Sequence, residues 1–330
     1  MVPASTSREP TNLSSRPPVQ LSTGVTSFSS SDPGSWEPLF EQARTFDRAG
    51  VDRLVLSDHV VFGEHLEEYG RPEIGGQAGG KQPTGSDGHW LEPLTTLSVL
   101  AGMTSRIRLG TNIIVAALRR PAVLAKSTAT LDVLSGGRLD LGVGVGWQRE
   151  EYEAAGLDFE NRGRLLDHSL EVCQTLWRDP RAQYHSPELH FEAIHMMPKP
   201  LQPGGIPIWI SGTVNARVVR RVARFGSGWV PWGPAAAAPR VGIAQMKDAL
   251  ADAGHEVSDL QVVGTLPFVK RDDGTLDVER TMDVVPHLAD AGLTDLRARF
   301  TLPGDASAAL DELRAIVHAF RVAAGRSDPV

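Results

Sequence analysis

Two places in this chain carry side chains whose types and spacing could do chemistry. The first is Ser57-Asp58-His59, which follows the apolar run at 53–56. Histidine titrates near neutral pH and serves as a general acid or base, and the adjacent Asp58 could tune His59. The bland alternative has Asp58 capping the next turn and His59 as a hydrogen-bonded histidine with no chemical role. The second place is Gly142-Val143-Gly144-Val145-Gly146. Glycines let a backbone approach a ligand closely and adopt φ > 0. A helix starts after this turn, and the unpaired N–H groups of a helix start favour a phosphate. The pattern is GxGxG and not GxGxxG, so it reads either as an anion site or as a tight turn. Ser211-Gly212-Thr213 offers a further set of amides and hydroxyls, for a phosphate or for an N-cap. Trp147, Trp229 and Trp232 stand beside these turns and could wall a flat ring or simply close the core.

Such residues work together only if a scaffold gathers strand ends. Apolar runs at 19–25, 53–57, 107–114, 138–143, 206–210, 228–230, 260–268 and 295–300 read as strands. Helical spacing follows each, at 36–49, 93–103, 122–134, 162–177, 215–225, 241–253, 278–291 and 306–321. Unbroken alternation of this kind predicts an α/β chain folded as a (β/α)₈ TIM barrel with insertions at its C-terminal face, a single domain over 19–322. An open, doubly wound sheet is the rival. In a barrel the strand C-termini carry the active site, which gathers Asp58, His59, Thr111, Asn112, Ile113, the glycine turn, Ser211–Thr213 and Arg299 at one mouth. The polar stretch 62–90, with glycine pairs at 75–76 and 79–80, reads as a lid or as disorder. An inserted hairpin is expected within 184–197. Residues 1–18, rich in Ser, Pro and Arg, and residues 323–330 read as tails. The one cysteine, Cys173, shares a helical stripe with Leu166, Leu170 and Trp177 and is expected in the core.

Composition removes several classes of function. A net charge of −7 over 330 residues does not suit a nucleic-acid partner, which needs a basic patch. No run of 18 apolar residues predicts a membrane span, and the N-terminus has no secretory signal pattern. A lone cysteine suits a reducing cytoplasm. No HExxH, GxSxG, Walker or CxxC pattern occurs. His185, His190 and His195 are five apart, which suits neither a helix face nor a strand face, so no metal is expected. Glu150 and Glu151 read as solvated acids favouring a helix start.

Four segments, SDHVVFG (57–63), TSRIRLGTNI (104–113), GGRLDLGVGVGWQREEYEAAG (136–156) and IPIWISGTVNARVVRRVARFGSGWVPWG (206–233), resemble the bacterial luciferase-like family, in its branch of coenzyme F420-dependent oxidoreductases. The resemblance covers about 19–321. It implies a barrel, often dimeric, with a cofactor across the C-terminal mouth. Asp58 and His59 match the pair near the reactive ring. Asn112 and Ile113 match a non-prolyl cis peptide behind that ring. Gly144, Val145 and Gly146 match the loop at the ribityl-phosphate arm, and Ser211, Gly212 and Thr213 match a second phosphate-side turn. Relatives acting on sugar phosphates carry an acid after the glycine loop; Trp147 stands there, which argues against a sugar phosphate. The implied function is hydride transfer between F420 and a small organic substrate, with His59 as proton donor or polarising group. The alternatives are an FMN-dependent two-component monooxygenase and a non-catalytic cofactor binder.

Overall fold

The computed structural model describes residues 18–255 and 260–327; most of the expected N-terminal tail and the last three residues lie outside the described residues. Eight strands form the frame: β1 (Gln20–Gly24), β2 (Arg53–Leu56), β3 (Arg108–Thr111), β4 (Leu139–Val143), β5 (Ile208–Gly212), β6 (Gly228–Pro231), β7 (Gln261–Thr265) and β8 (Asp295–Ala298). They pair in parallel and in chain order, and β8 returns to β1 with Gln20 opposite Asp295 and Thr23 opposite Ala298. This closure makes the sheet a barrel and removes the open-sheet alternative.

Helices α1 (Glu37–Ala49), α2 (Pro93–Met103), α3 (Pro121–Leu134), α4 (Arg149–Ala154), α5 (Arg162–Arg178), α6 (Ala216–Phe225), α7 (Pro234–Ala237), α8 (Pro239–Asp252), α9 (Val278–Met282), α10 (Val285–Asp290) and α11 (Ala306–Ala323) surround it. Strands covered by helices bury both faces, which is why Arg53–Leu56 and Leu139–Val143 are buried throughout. The main core lies between barrel and helices, where Leu54, Leu109 and Leu296 join Phe46, Leu97 and Phe320 in one cluster with Cys173. Burial also pushes the Cys173 thiol far up, so it is an inert core residue. Among the described residues no helix is long and apolar enough to cross a membrane.

The barrel interior is ionic. Arg53 donates to Asp140 (2.7 Å) and to Asp295, and Arg108 makes two 2.7 Å contacts with the two oxygens of Asp140. Ser22 donates to Asp295, and the Arg53 guanidinium lies 4.5 Å over the Trp209 ring.

Outside the barrel, Asp47 near the end of α1 accepts the N–H groups of Ser105, Arg106 and Ile107 at 3.0, 2.9 and 2.8 Å. Burial pushes this carboxyl up, but the three amides outweigh it and hold it below the usual carboxylate range. A depressed folded value means stabilisation that is complete above the unfolded pKa and lost as pH falls through the folded one. Asp47→Asn is therefore expected to cost about 1–3 kcal/mol at pH 7, because three backbone donors, one of them buried, lose their ionised acceptor. The difference from wild type should shrink in urea titrations below about pH 4; a gap that stays constant down to pH 2.5 would contradict the assignment.

Several expectations shift. The helix expected over 278–291 is two, α9 and α10, because Pro286 has no N–H and its ring would clash with the carbonyl four residues before. The strand expected to reach 268 stops at Thr265, ahead of Pro267. The short helix α7 precedes α8, where helical spacing was read only from 241. The stretch 62–90 holds two 3₁₀ turns, Leu66–Gly70 and Pro72–Ile74, and a two-residue strand His89–Trp90 paired antiparallel with Phe28–Ser29.

Candidate active site

His59 follows β2 at the C-terminal mouth, with its side chain about one-tenth exposed. Its imidazole lies in an aromatic frame: ring centroids of Phe62, Trp90 and Trp147 stand at 4.4, 4.8 and 6.0 Å. Phe28 stacks on Trp90 at 4.2 Å, so the short antiparallel pair backs this frame. Trp147 also meets Tyr69 of the 62–90 stretch at 5.5 Å.

The carboxylate beside His59 is not Asp58. Asp58 is buried, and its oxygens accept from the Val115 N–H (2.8 Å) and from both terminal nitrogens of Arg119 (2.7 and 2.9 Å). Arg119 also binds Glu92, which caps α2 through the Thr95 N–H. Asp58 thus ties β2 to the segment before α3, and the expected tuning of His59 by its sequence neighbour is corrected by this geometry. Adjacent residues at a strand end point to opposite sides, so only one of the two can face the mouth.

Glu151 takes the place beside the ring. It is 2% exposed, where a solvated helix-start acid was expected. Its Oε1 accepts the Val60 N–H at 2.7 Å and lies 3.4 Å from His59 Nδ1. Gln148, also buried, donates to the Val61 carbonyl (2.7 Å) and accepts the Gly63 N–H (3.2 Å). Gln148 and Glu151 are three apart at the start of α4 and share one face, so together they staple the chain after His59. That i, i+3 polar pair within GWQREEYEAAG was the available signal; the charge alone read as solvated.

The glycine turn is shaped by close packing more than by open amides. A Cβ on Gly142 would stand 2.1 Å from the Thr111 carbonyl oxygen, and one on Gly144 would meet the Ile113 side chain at 2.8 Å. The Gly144 N–H donates to the Ile114 carbonyl, so it is not free for an anion. Gly146 alone of the three has positive φ, +68°. The Val145 carbonyl accepts the Tyr152 hydroxyl at 2.6 Å. The Asn112–Ile113 peptide is cis, as the resemblance implied. Gly142→Ala is expected to destabilise by at least about 1–3 kcal/mol, since backbone on both strands must move; a variant melting with the wild type would show that β3 and β4 can part at no cost.

On the other side, Ser211, Gly212 and Thr213 are partly exposed at the end of β5. They do not cap α6: Asn215 does, accepting the N–H groups of Arg217 and Val218 at 3.0 and 3.1 Å. Trp229 is wholly buried and donates to the Gly212 carbonyl (3.0 Å), so it closes the core and does not wall the mouth. Trp232 donates to the Gly76 carbonyl (3.0 Å) and fastens the 62–90 stretch to the loop after β6. Gly75, at φ +104°, backs directly onto the Gly146 carbonyl. Arg299, which follows β8, acts on the Tyr69 hydroxyl: burial raises that phenol and the arginine partly offsets it.

Three buried polar atoms at this mouth make no hydrogen bond: His59 Nδ1, Gln82 Oε1 and Asn112 Oδ1. Gln82, in the 62–90 stretch, lies 3.5 Å from His59 Nε2 through its amide nitrogen. Buried polar groups are almost always paired. His59 Nδ1 is turned toward Glu151, which leaves Gln82 Oε1 and Asn112 Oδ1 as the unpartnered acceptors, and a flat ring with N–H groups on its edge fits these residues.

The sequence pattern of the luciferase-like monooxygenase family matches residues 14–288. The chain belongs to this family. Its members are oxidoreductases. An uncharacterized protein of Mycobacterium tuberculosis is 36% identical over 140 residues, 42% of this chain and 49% of that protein, so the chain spans about half the length of that relative. An F420-dependent glucose-6-phosphate dehydrogenase of Segniliparus rotundus is 30% identical over 197 residues, covering 58% of this chain and 52% of that protein. Among solved structures, an F420-dependent secondary alcohol dehydrogenase in complex with an F420-acetone adduct superposes with TM-score 0.69 at 15% identity, over 92% of this chain and 99% of that one. The oxygenating constituent of 3,6-diketocamphane monooxygenase from Pseudomonas putida, in complex with FMN, gives 0.68 at 15% identity, over 94% and 100%. At such identities these two likenesses concern the fold.

Proposed function

We propose that this member of the luciferase-like family transfers hydride between coenzyme F420 and a small, largely apolar alcohol or carbonyl compound. The observation that carries the reading is His59: a largely buried histidine at the mouth, framed by Phe62, Trp90 and Trp147, with a buried carboxylate behind it. The F420-dependent dehydrogenase among its relatives supports the cofactor. Trp147, standing where sugar-phosphate enzymes of this resemblance have an acid, turns the reading away from their substrate.

Bound at the mouth, the deazaflavin would supply the site that gives or takes the hydride. His59, Asn112, Ile113, Gly144, Val145, Gly146 and Trp147 would hold its ring and side arm, and Ser211, Gly212 and Thr213 would meet its phosphate side. Asp58 contributes by fixing the loop on which Val115 and Arg119 sit. His59 would move the proton that accompanies hydride transfer at the substrate oxygen. Its Nδ1 faces Glu151, which orients the ring and leaves Nε2, on the Gln82 side, to meet the substrate. The 3.4 Å separation is of the kind that shortens once substrate is bound. The lid and the aromatic frame exclude water.

A second reading, an oxygen-using enzyme that takes reduced FMN, draws on the FMN-bound barrel of equal likeness. Titration of the protein with F420 and with FMN, followed by quenching of Trp90 and Trp147, separates the two. Micromolar binding of F420 with weak FMN binding is the expected result. Tight FMN binding alone moves the assignment to the monooxygenase. Binding of F420 that no alcohol reduces, and of reduced F420 that no carbonyl compound oxidises, points to a cofactor-sequestering protein.

A further inference from the structure

The hairpin between α5 and β5 runs from Ala182–His185 to His190–Ile194 and packs along the outside of α5. Its register pairs Tyr184 with Phe191 and His185 with His190. Side chains alternate between faces of a strand, so these two pairs lie on opposite faces, and Glu192 falls on the same face as His190. The inner face is held by Tyr184, which stacks with Phe191 (5.9 Å) and hydrogen-bonds Glu171 (2.6 Å) and His168 (3.1 Å). The outer face presents His185, His190 and Glu192 to solvent, all exposed. The spacing of five, which read as unsuited to a metal, becomes a direct cross-strand pair once the hairpin turns between the two histidines.

We propose that this outer face binds one divalent transition-metal ion, of the class to which Zn²⁺ belongs, through His185, His190 and Glu192. Each residue offers a ligand atom, and the three atoms lie within 4.8 Å of one another. The two imidazoles meet edge-on with their Nδ1 atoms 2.7 Å apart. Ligands on a tetrahedral Zn²⁺ at bonds of about 2.0–2.1 Å stand about 3.4 Å apart, so small side-chain rotations bring the set to that spacing. Two imidazoles and a carboxylate form a known Zn²⁺ donor set, with a fourth position left for water. The face is also pre-organised. The Ser186 N–H donates to the Leu189 carbonyl (2.9 Å), and the Ser186 hydroxyl accepts the N–H groups of Glu188 and Leu189. Glu188 is ion-paired to Arg164 of α5. The tip is thus fixed from both sides, and the ion reaches its ligands without any opening of the fold. The site shares no residue with the barrel mouth, so this inference stands independently of the redox assignment.

The test uses the full chain, freed of any polyhistidine tag and stripped with a chelator, titrated with Zn²⁺ by calorimetry and with Cu²⁺ by electron paramagnetic resonance. One Zn²⁺ per chain with a micromolar or tighter Kd, and a Cu²⁺ spectrum with coupling to two imidazole nitrogens, is expected. His185→Ala and His190→Ala should each weaken binding at least tenfold, Glu192→Gln should weaken it less, and His195→Ala should leave it unchanged. All four residues are exposed, so the variants keep the fold, which the unchanged melting curve of the metal-free proteins verifies. Absence of saturable Zn²⁺ binding, or binding that survives in the His185→Ala, His190→Ala double variant, overturns the proposal.

Discussion

Replacing His59 by Gln should lower the rate of hydride transfer by about 10²–10³-fold while F420 affinity changes little, because a positioned acid or base typically contributes 10²–10⁴. Glutamine preserves polarity and much of the volume inside the aromatic frame, so the loss is assigned to the proton and not to packing. Glu151→Gln gives the companion test. Its amide oxygen can still accept the Val60 N–H, so the staple survives, but the charge facing His59 Nδ1 is removed. Outer partners of this kind usually contribute about 10–100-fold. The decisive readout is the rate of the hydride step itself, which should fall in both variants and further in His59→Gln than in Glu151→Gln. If His59→Gln keeps the wild-type rate across the pH range, the histidine is only part of the wall. Pre-steady-state measurement of the hydride step separates this from slow product release.

Arg53→Met should destabilise the fold by about 3–5 kcal/mol, the range for breaking a buried ion pair by removing one partner. Arg53 bridges Asp140 and Asp295 inside the barrel, and its side chain is 5% exposed. Without it, Asp295 keeps the Ser22 hydroxyl and the charge of the nearby Arg297 but loses its ion-pair partner. Asp140 retains Arg108, whose side chain is 27% exposed and therefore partly screened. Arg108→Met is accordingly expected to cost clearly less than Arg53→Met. Burial drives the Asp140 carboxyl up, yet Arg53 and Arg108 together hold it below its ordinary value. The folded value being depressed, its contribution is present above about pH 4 and disappears as pH falls. Urea midpoints of both variants at pH 7 and pH 3 check this: equal losses for the two arginines would mean that the bridge to Asp295 contributes nothing.

The barrel was legible because its signals are local. Strands buried on both faces show as short apolar runs, and helices facing one core show as apolar residues at helical spacing. Punctuation was also local: α1 stops at Gly50, which sits at φ +86°. The places where boundaries moved, Pro267 and Pro286, are prolines inside periodic segments, where the missing N–H outweighs the pattern.

The mouth was legible in outline. Membership of strand ends brought Asp58, His59, Asn112, the glycine turn and Ser211–Thr213 into one list, since every parallel strand of a barrel opens on the same side. What each residue touches was not legible. Asp58 meets Arg119, 61 positions away, and Arg53 meets Asp295, 242 positions away. Glu151 reaches His59 because α4 lies across the rim, and His185 meets His190 because a hairpin folds one onto the other. The sequence by itself determined the order of strands and helices, the barrel they close into and which chain segments border its mouth. The tertiary structure alone decided which charges pair, which glycines are there for packing and which histidine has a carboxylate behind it. Secondary structure depends on neighbours within a turn or two, whereas partners across a barrel are set by closure and register, which no short stretch of chain contains.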